Sequence, residues 1–145
     1  MLVLPPRCRD DVVAHARRAA PEECCGVLVG RREGGAARVE TTIAAPNVAR
    51  YRRRRYAIDP TILIDAHRRT REAGRAVVGY YHSHPAAPAT PSDRDRTDAW
   101  AGVSYLIVSL AGDHDGADGV DLRSWRLAGD GFDEEPLLAA AETAP

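Results

Sequence analysis

Hydrophobic positions along the chain follow two periods, one typical of helices and one typical of strands. Segments 10–20 and 61–73 carry apolar residues at helical spacing, and each is bounded by proline or glycine. Five further apolar or alternating runs have the length of β-strands: 25–30, 37–44, 76–81, 104–110 and 120–127. Strands interleaved with helices in one short chain predict an α/β or α+β sandwich, in which a mixed central β-sheet is flanked by helices.

Polar segments connect these elements, and several of them contain proline. The strand at 37–44 stops at Pro46-Asn47, and an arginine-rich connection follows over 48–59. The central strand at 76–81 is expected to run into a loop that starts at His82. A short polar helix is then predicted from 92 to about 101, with Ser92 at its start.

The carboxy-terminal part of the chain carries weaker patterns. An acidic loop is predicted over 113–118, and the last residues, 136–145, are expected to form a frayed helix or a disordered tail. A chain of 145 residues is long enough for one hydrophobic core and too short for two. We therefore predict a single domain over 1–135, followed by the tail 136–145.

The net charge of −1 conceals an uneven distribution of charge. All twenty basic residues are arginine; sixteen of them lie with nine acidic residues in 1–75, whereas 76–145 holds four arginines and twelve acidic residues. Because both halves share one core and the total is balanced, nucleic acid is not favoured as a partner.

Cysteine usage and hydropathy indicate the compartment. The three cysteines, Cys8, Cys24 and Cys25, cannot all pair internally, which argues against a disulfide framework and fits a reducing environment. No run approaches the roughly 18 uncharged apolar residues of a membrane span, and the first residues do not have the pattern of a signal peptide. The sequence thus predicts a cytoplasmic protein without a membrane segment.

Candidate chemistry is concentrated just after the central strand. His82 and His84 are two residues apart, so on an extended backbone both imidazoles point to the same side and can reach one ion. Asp95 falls in the first turn of the following helix, where the proline-containing loop can return its carboxylate to the histidines. Two histidines and one carboxylate leave a fourth position open on tetrahedral zinc, which is the pattern of a catalytic site.

Such a site needs a base as well as a metal. Zinc lowers the pKa of a bound water from about 15.7 to about 7, and another group must accept the proton. Glu23 precedes the first buried strand, where a carboxylate has no structural reason to face inward, and it is the candidate base. Its neighbour Glu22 should point the opposite way in an extended segment and is expected to be a solvated surface charge.

These residues give the chain a recognisable signature. His82-x-His84-Pro85, followed by Ser92-x-x-Asp95, resembles the signature of the JAMM (MPN+, or JAB-domain) zinc metalloprotease family. Pro21-x-Glu23-x-Cys25-Gly26 is similar to that family's upstream glutamate motif. The resemblance extends over nearly the whole chain and points to a small, stand-alone prokaryotic member.

The resemblance implies a role for each matching residue. His82, His84 and Asp95 match the ligands of one zinc ion, Glu23 matches the general acid and base, and Ser92 matches the residue that stabilises the tetrahedral oxyanion. It also implies a fold similar to that of cytidine deaminases. Family members are hydrolases that cleave peptide or isopeptide bonds after the C-terminal Gly-Gly of ubiquitin-like proteins, or act on sulfur carriers of the ThiS/MoaD type. No feature of the sequence selects among these substrates.

Alternatives remain at the level of the sequence. Ser92 is also placed to be a helix N-cap, a role that is compatible with stabilising an oxyanion. The whole chain could instead be a non-catalytic MPN-type scaffold that binds ubiquitin-like proteins, although such relatives typically lack the ligand set that is present here. Zinc-dependent deamination of a nucleobase would need H-x-E and P-C-x-x-C motifs, and neither occurs.

The connection before the second helix contains an arginine cluster. Its members are Arg50, Arg52, Arg53, Arg54 and Arg55, and Tyr51 and Tyr56 lie beside them. The cluster could be a solvated loop or a phosphate-binding site. The third hypothesis, which suits the family better, is that it steers an acidic carrier protein towards the zinc.

Overall fold

The computed structural model describes residues 1–112 and 118–141. In these residues the elements follow in the order β1 (Leu2–Leu4), α1 (Pro6–Ala19), β2 (Cys25–Glu33), β3 (Ala36–Ala45), α2 (Pro60–Glu72), β4 (Ala76–His84), α3 (Asp93–Asp98), β5 (Ser104–Ser109), β6 (Asp121–Ala128), β7 (Gly131–Glu135) and β8 (Leu137–Ala139). The strands form one sheet in the order β7-β6-β5-β4-β2-β3-β1-β8. β4 pairs in parallel with β5, and β1 with both of its neighbours; the other pairs are antiparallel. The predicted mixed sheet is confirmed.

Two helices cover opposite faces of this sheet. The apolar side of α1, including Val12 and Ala16, packs in a buried cluster with Tyr81 of β4. On the other face, Ala66 of α2 packs with Tyr80 of the same strand. Because β2 and β4 are covered on both sides, their sequences are nearly continuous apolar runs rather than alternating ones.

Several predicted boundaries are wrong, and each has a local physical cause. α1 begins at Pro6 rather than near residue 10, since Pro6 takes the first helical position, where its missing N–H is not needed. β4 does not end before His82 but continues to His84, because its last residues pair in register with β5. α3 ends at Asp98, short of the predicted residue 101.

The interpretation of 136–145 as a helix or a tail also requires correction. Leu137–Ala139 form β8, which pairs in parallel with β1 at the edge of the sheet. β1 and β8 have three residues each and β7 has five, so they are too short to show a clear period. Residues 142–145, and 113–117 of the predicted acidic loop, lie outside the described residues.

No helix in 1–112 or 118–141 is long and apolar enough to cross a bilayer.

Candidate metal centre

The end of β4 places two imidazoles side by side. Side chains alternate along the strand, so His82 and His84 face the same side, and their Nε2 atoms are 3.1 Å apart. Ser83 faces away, and its hydroxyl accepts a 2.8 Å hydrogen bond from the N–H of Cys24. Both histidines are buried, with 1% and 5% of their surface exposed. The predicted convergence of the two rings is confirmed.

The start of α3 brings a carboxylate to the same point. Ser92 is the N-cap: its hydroxyl accepts a hydrogen bond from the N–H of Asp95, and its own N–H donates to Oδ2 of Asp95 at 2.9 Å. The same Oδ2 lies 3.1 Å from Nε2 of His82 and 3.3 Å from Nε2 of His84. The capping box therefore fixes the orientation of Asp95 towards the histidines.

The loop 85–91 is tied down on both sides. The Nδ1 atom of His84 lies 2.7 Å from the carbonyl oxygen of Pro88, which leaves Nε2 directed at Asp95. From β5, the hydroxyl of Ser109 donates to the carbonyl oxygen of Ala87 at 2.6 Å. A histidine held at one ring nitrogen presents the other to a metal in a fixed direction.

Glu23 approaches the histidines from the segment between α1 and β2. It is buried, with 6% of its surface exposed, and its Oε1 has no hydrogen-bond partner among the described residues. Its N–H donates to the carbonyl oxygen of Arg52 at 2.7 Å, and its carbonyl oxygen accepts from Nδ2 of Asn47 at 3.0 Å. The backbone is thus fixed while the carboxylate points into the site.

These groups offer two overlapping sets of metal ligands. Atoms of Glu23, His82 and His84 lie within 4.8 Å of one another, whereas Oδ2 of Asp95 is within 3.3 Å of both Nε2 atoms. Ligand atoms held at about 2.0–2.1 Å in a tetrahedron lie about 3.3–3.4 Å apart. The two histidines with Asp95 therefore fit zinc more closely, and the unpartnered carboxylate of Glu23 stays available for another role.

Electrostatics at the site favour a cation between the rings. Burial alone would raise the pKa of Asp95, but hydrogen bonds from both imidazoles outweigh it and hold that pKa well below its usual range. Burial lowers the pKa of His82 and so keeps its ring neutral, as a metal ligand must be. Burial raises the pKa of Glu23 to about 7, although the nearby His84 lowers it in part.

An aromatic ring lies over one of the imidazoles. Tyr56 stacks on His82 with ring centroids 4.3 Å apart and an angle of 20° between the planes. The sequence shows Tyr56 only as an aromatic residue beside the arginine cluster, and no local pattern indicates that it covers His82. The contact shields this side of the imidazole from solvent and limits its rotation.

Asn47 is a second supporting residue whose role the sequence patterns missed. Its amide donates to the carbonyl oxygens of Glu23 and Arg55, at 3.0 and 2.8 Å. Its Oδ1 accepts from the N–H groups of Ala49 and Ala57, at 3.0 and 3.1 Å. Asn47 thereby holds the two ends of the arginine-rich loop together and joins them to Glu23. The sequence offered one signal for this role, since asparagine is common where a side chain closes a turn.

The site opens to the surface on two sides. One opening is a groove of about 820 Å³, whose lining includes Glu23, Arg53, Arg54, His84 and Ser92. The other is a smaller aromatic cleft of about 210 Å³, whose lining includes Tyr56, Tyr80, Asp95, Trp100 and Tyr105. Glu23 lines only the first opening and Asp95 only the second, so the candidate metal centre lies between them.

Comparison with known proteins finds a family model and relatives that match most of the chain. Residues 5–128 match the family model for prokaryotic homologues of the JAB domain. The chain is 39% identical over 116 residues to a desampylase of Haloferax volcanii, an alignment that covers 77% of this chain and 82% of the relative. It is 35% identical over 127 residues to the CysO-cysteine peptidase of Mycobacterium bovis, covering 87% and 82% of the two chains.

A third relative and two solved structures extend the comparison. The "Probable TtuB-protein conjugate cleaving protease" of Thermus thermophilus is 37% identical over 112 residues, or 77% of this chain and 72% of the relative. A solution structure from Desulfitobacterium hafniense superposes with a TM-score of 0.86 at 34% identity, covering 98% of this chain and 94% of the other. One from Salinibacter ruber gives 0.68 at 36% identity, with 99% and 94% covered.

The resemblance seen in the sequence motifs is thus confirmed over most of the chain. The names of the three relatives describe peptidases or conjugate-cleaving enzymes, which confirms the prediction of a hydrolase rather than a scaffold. The family match covers every residue of the candidate site, from Glu23 to Asp95. The chain therefore belongs to the family of prokaryotic homologues of the JAB domain, as a small JAMM/MPN+ protein.

Proposed function

We propose that this protein is a zinc-dependent metallopeptidase of the JAMM type, with one zinc ion held by His82, His84 and Asp95. The observation that carries the proposal is the convergence of Nε2 of both histidines and Oδ2 of Asp95 within 3.3 Å. Zinc, when bound, supplies a Lewis acid that polarises a carbonyl group and lowers the pKa of water.

Glu23 and Ser92 supply the remaining chemistry in this proposal. Glu23 accepts a proton from the attacking water as the water oxygen adds to the scissile carbonyl carbon. It then passes that proton to the leaving nitrogen as the C–N bond breaks, which gives a carboxylic acid and an amine. Ser92 stabilises the negative charge on the former carbonyl oxygen. In support, Ser92 and Glu23 line the same groove.

The proposed substrate is a peptide or isopeptide bond after the C-terminal Gly-Gly of a ubiquitin-like or sulfur-carrier protein. The names of the relatives support this class, because they refer to desampylation, to TtuB-protein conjugates and to CysO-cysteine. The site is open at the surface on two sides, through the groove and the aromatic cleft, as a bond between the extended tail of a folded carrier and a leaving group would require.

Metal analysis and one isosteric substitution test the mechanism. We expect about one zinc per chain and at least about a hundredfold lower cleavage by the Glu23→Gln variant, since general acid–base catalysis contributes about 10²–10⁴-fold. The substrates are ThiS/MoaD-type carriers extended beyond their Gly-Gly, and cleavage is followed by mass spectrometry. Glu22→Gln is the matched control: Glu22 is half-buried and pairs with Arg52 at 3.0 Å, outside the site.

Each outcome of this experiment has a defined meaning. Retained cleavage by Glu23→Gln, or a preparation that binds no zinc, contradicts the mechanism. Equal losses of cleavage in the Glu22 and Glu23 variants would show that the losses come from a disturbed backbone segment and not from the missing carboxylate of Glu23. Carrier binding without cleavage by the wild type would instead contradict the proposed position of the scissile bond.

The arginine cluster fits the same substrate class. We propose that Arg50, Arg52, Arg53, Arg54 and Arg55 steer an acidic carrier towards the metal centre, because all five are exposed and two of them, Arg53 and Arg54, line the groove. Charge reversal at 52–54 should slow cleavage of a carrier by about tenfold or more at low salt, and the wild-type rate should fall steeply as salt is added. Unchanged rates in both measurements would contradict steering.

A further inference from the structure

The five arginines of the cluster divide into two groups by their contacts. Nε of Arg52 pairs with a carboxylate oxygen of Glu22 at 3.0 Å. The guanidinium groups of Arg50 and Arg55 lie 5.8 and 5.7 Å from the ring centroid of Tyr51. These three arginines are therefore occupied in holding the loop itself together.

Arg53 and Arg54 make up the second group. Both are exposed, and neither forms an ion pair or a cation–π contact with any residue in 1–112 or 118–141. Both line the groove that contains Glu23, His84 and Ser92. Two adjacent guanidinium groups at the wall of a groove repel each other until an anion lies between them, and arginine binds carboxylates with two parallel hydrogen bonds.

The position of Glu23 indicates which part of a substrate meets these arginines. Under the proposed function, on which this step rests, Glu23 protonates the leaving nitrogen and must contact it. Glu23 lines the groove with Arg53 and Arg54, whereas the aromatic cleft lies on the Asp95 side. The leaving group therefore occupies the arginine-lined groove.

We propose that Arg53 and Arg54 bind a carboxylate of the leaving group, and that they select substrates with a negative charge close to the scissile bond on that side. The carboxylate can be the α-carboxylate of a single residue that follows the bond, or an Asp or Glu side chain in a longer leaving group. Both sources present the same planar anion, and the two are separated by the choice of probe.

Binding of synthetic peptides tests this selection without requiring turnover. Three probes share one sequence up to Gly-Gly-Ala: the first ends there as a free acid, the second ends there as an amide, and the third continues as Asp-amide. Affinities are measured by calorimetry on the zinc-loaded Glu23→Gln variant, and hydrolysis is measured on the wild type. We expect the free acid to bind about tenfold or more tightly than the amide, as for a charge-assisted contact.

Variants of the two arginines test whether Arg53 and Arg54 cause the preference for the free acid. Arg53→Ala/Arg54→Ala should reduce the preference for acid over amide to below about twofold while leaving the affinity for the amide unchanged. Arg71→Ala is the control, because Arg71 is an exposed arginine of α2 that does not line the groove. Tight binding of the third probe identifies a side-chain carboxylate as sufficient; weak binding restricts the site to an α-carboxylate.

Failure of this inference is distinguishable from failure of the proposed function. Equal binding of acid and amide, a preference that persists in the double variant, or no binding of the free acid at about 1 mM would overturn the inference. Hydrolysis of all three probes at equal rates would overturn it as well and leave the proposed function intact. A clear preference in binding without any hydrolysis by the wild type would overturn the proposed function alone.

Discussion

Replacing Gly26 with alanine should destabilise the protein, although the change adds only one methyl group. Gly26 lies opposite Tyr81 in the β2–β4 pair, and a Cβ atom on Gly26 would overlap the Cε1 and Cζ atoms of the Tyr81 ring. The same atom would lie 2.5 Å from the carbonyl oxygen of Ile43 in β3, which is backbone and cannot move aside alone. The tyrosine ring is also held, because its hydroxyl shares a 2.8 Å hydrogen bond with His15.

The size of the effect follows from these contacts. Overpacking of a well-packed core costs about 1–3 kcal/mol, and we expect about 2–3 kcal/mol here because one of the clashes is with backbone. For a chain of this size that lowers Tm by about 6–12 °C. Gly131→Ala is the matched control: its Cβ would meet nothing within 4 Å, so a neutral or slightly stabilising change is expected.

Urea denaturation of both variants measures the two free energies of unfolding directly. Because β2 also places Cys25 opposite His82, a forced shift of the strand should lower zinc affinity in Gly26→Ala and leave it unchanged in Gly131→Ala. Free energies of unfolding that agree within about 0.5 kcal/mol between the variants would refute the steric argument.

Two further predictions concern residues outside the proposed catalytic groups. Asn47→Ala removes four hydrogen bonds from a half-buried position and should reduce the free energy of unfolding by about 2–4 kcal/mol, measured in urea. Burial alone would raise the pKa of Glu135, but hydrogen bonds from the Met1 amino group and the Ser124 hydroxyl outweigh it and lower that pKa. The stabilisation by Glu135 is therefore present at neutral pH and is lost progressively as pH falls through its lowered pKa. Glu135→Gln should thus be less stable than the wild type at pH 7, and this difference should shrink as pH falls from 7 to 3.

The results that would contradict these two predictions are specific. If the free energy of unfolding of Asn47→Ala is lower by less than about 0.5 kcal/mol, water replaces the asparagine hydrogen bonds that hold the ends of the arginine-rich loop together. A deficit in Glu135→Gln that stays constant from pH 7 to pH 3 would mean that the charge of Glu135 does not contribute to stability.

Much of the metal centre was predictable because its geometry is local. His82 and His84 are two residues apart on an extended backbone, and this spacing alone sets both rings on one side. Ser92 and Asp95 form a capping box within one turn of α3, so a short segment of sequence also determines their mutual orientation. The roles of these residues as ligands and catalytic groups stay predictions until the experiments above are done.

Contacts between distant segments were not predictable in this way. Glu23 faces the histidines because β2 pairs with β4, some 60 residues along the chain. The sequence indicated Glu23 only through its place before the first buried strand and its resemblance to a family motif. The stacking of Tyr56 on His82 and the bonds from Asn47 depend on where the arginine-rich loop folds back. The short strand β8 is stabilised by its pairing with β1, not by its own pattern.

The sequence by itself thus determined the family, the alternation of helices and strands, and the pair of histidines with Asp95 nearby. Only the tertiary structure decided which side of the site Glu23 occupies, and which two arginines, Arg53 and Arg54, line the same groove without an ion pair to any residue in 1–112 or 118–141. The physical reason is the range of the interactions. Backbone geometry and hydrogen bonds within one turn join residues that are close in sequence. Burial and strand pairing join segments that are far apart in sequence, and no local pattern indicates which of these segments will meet.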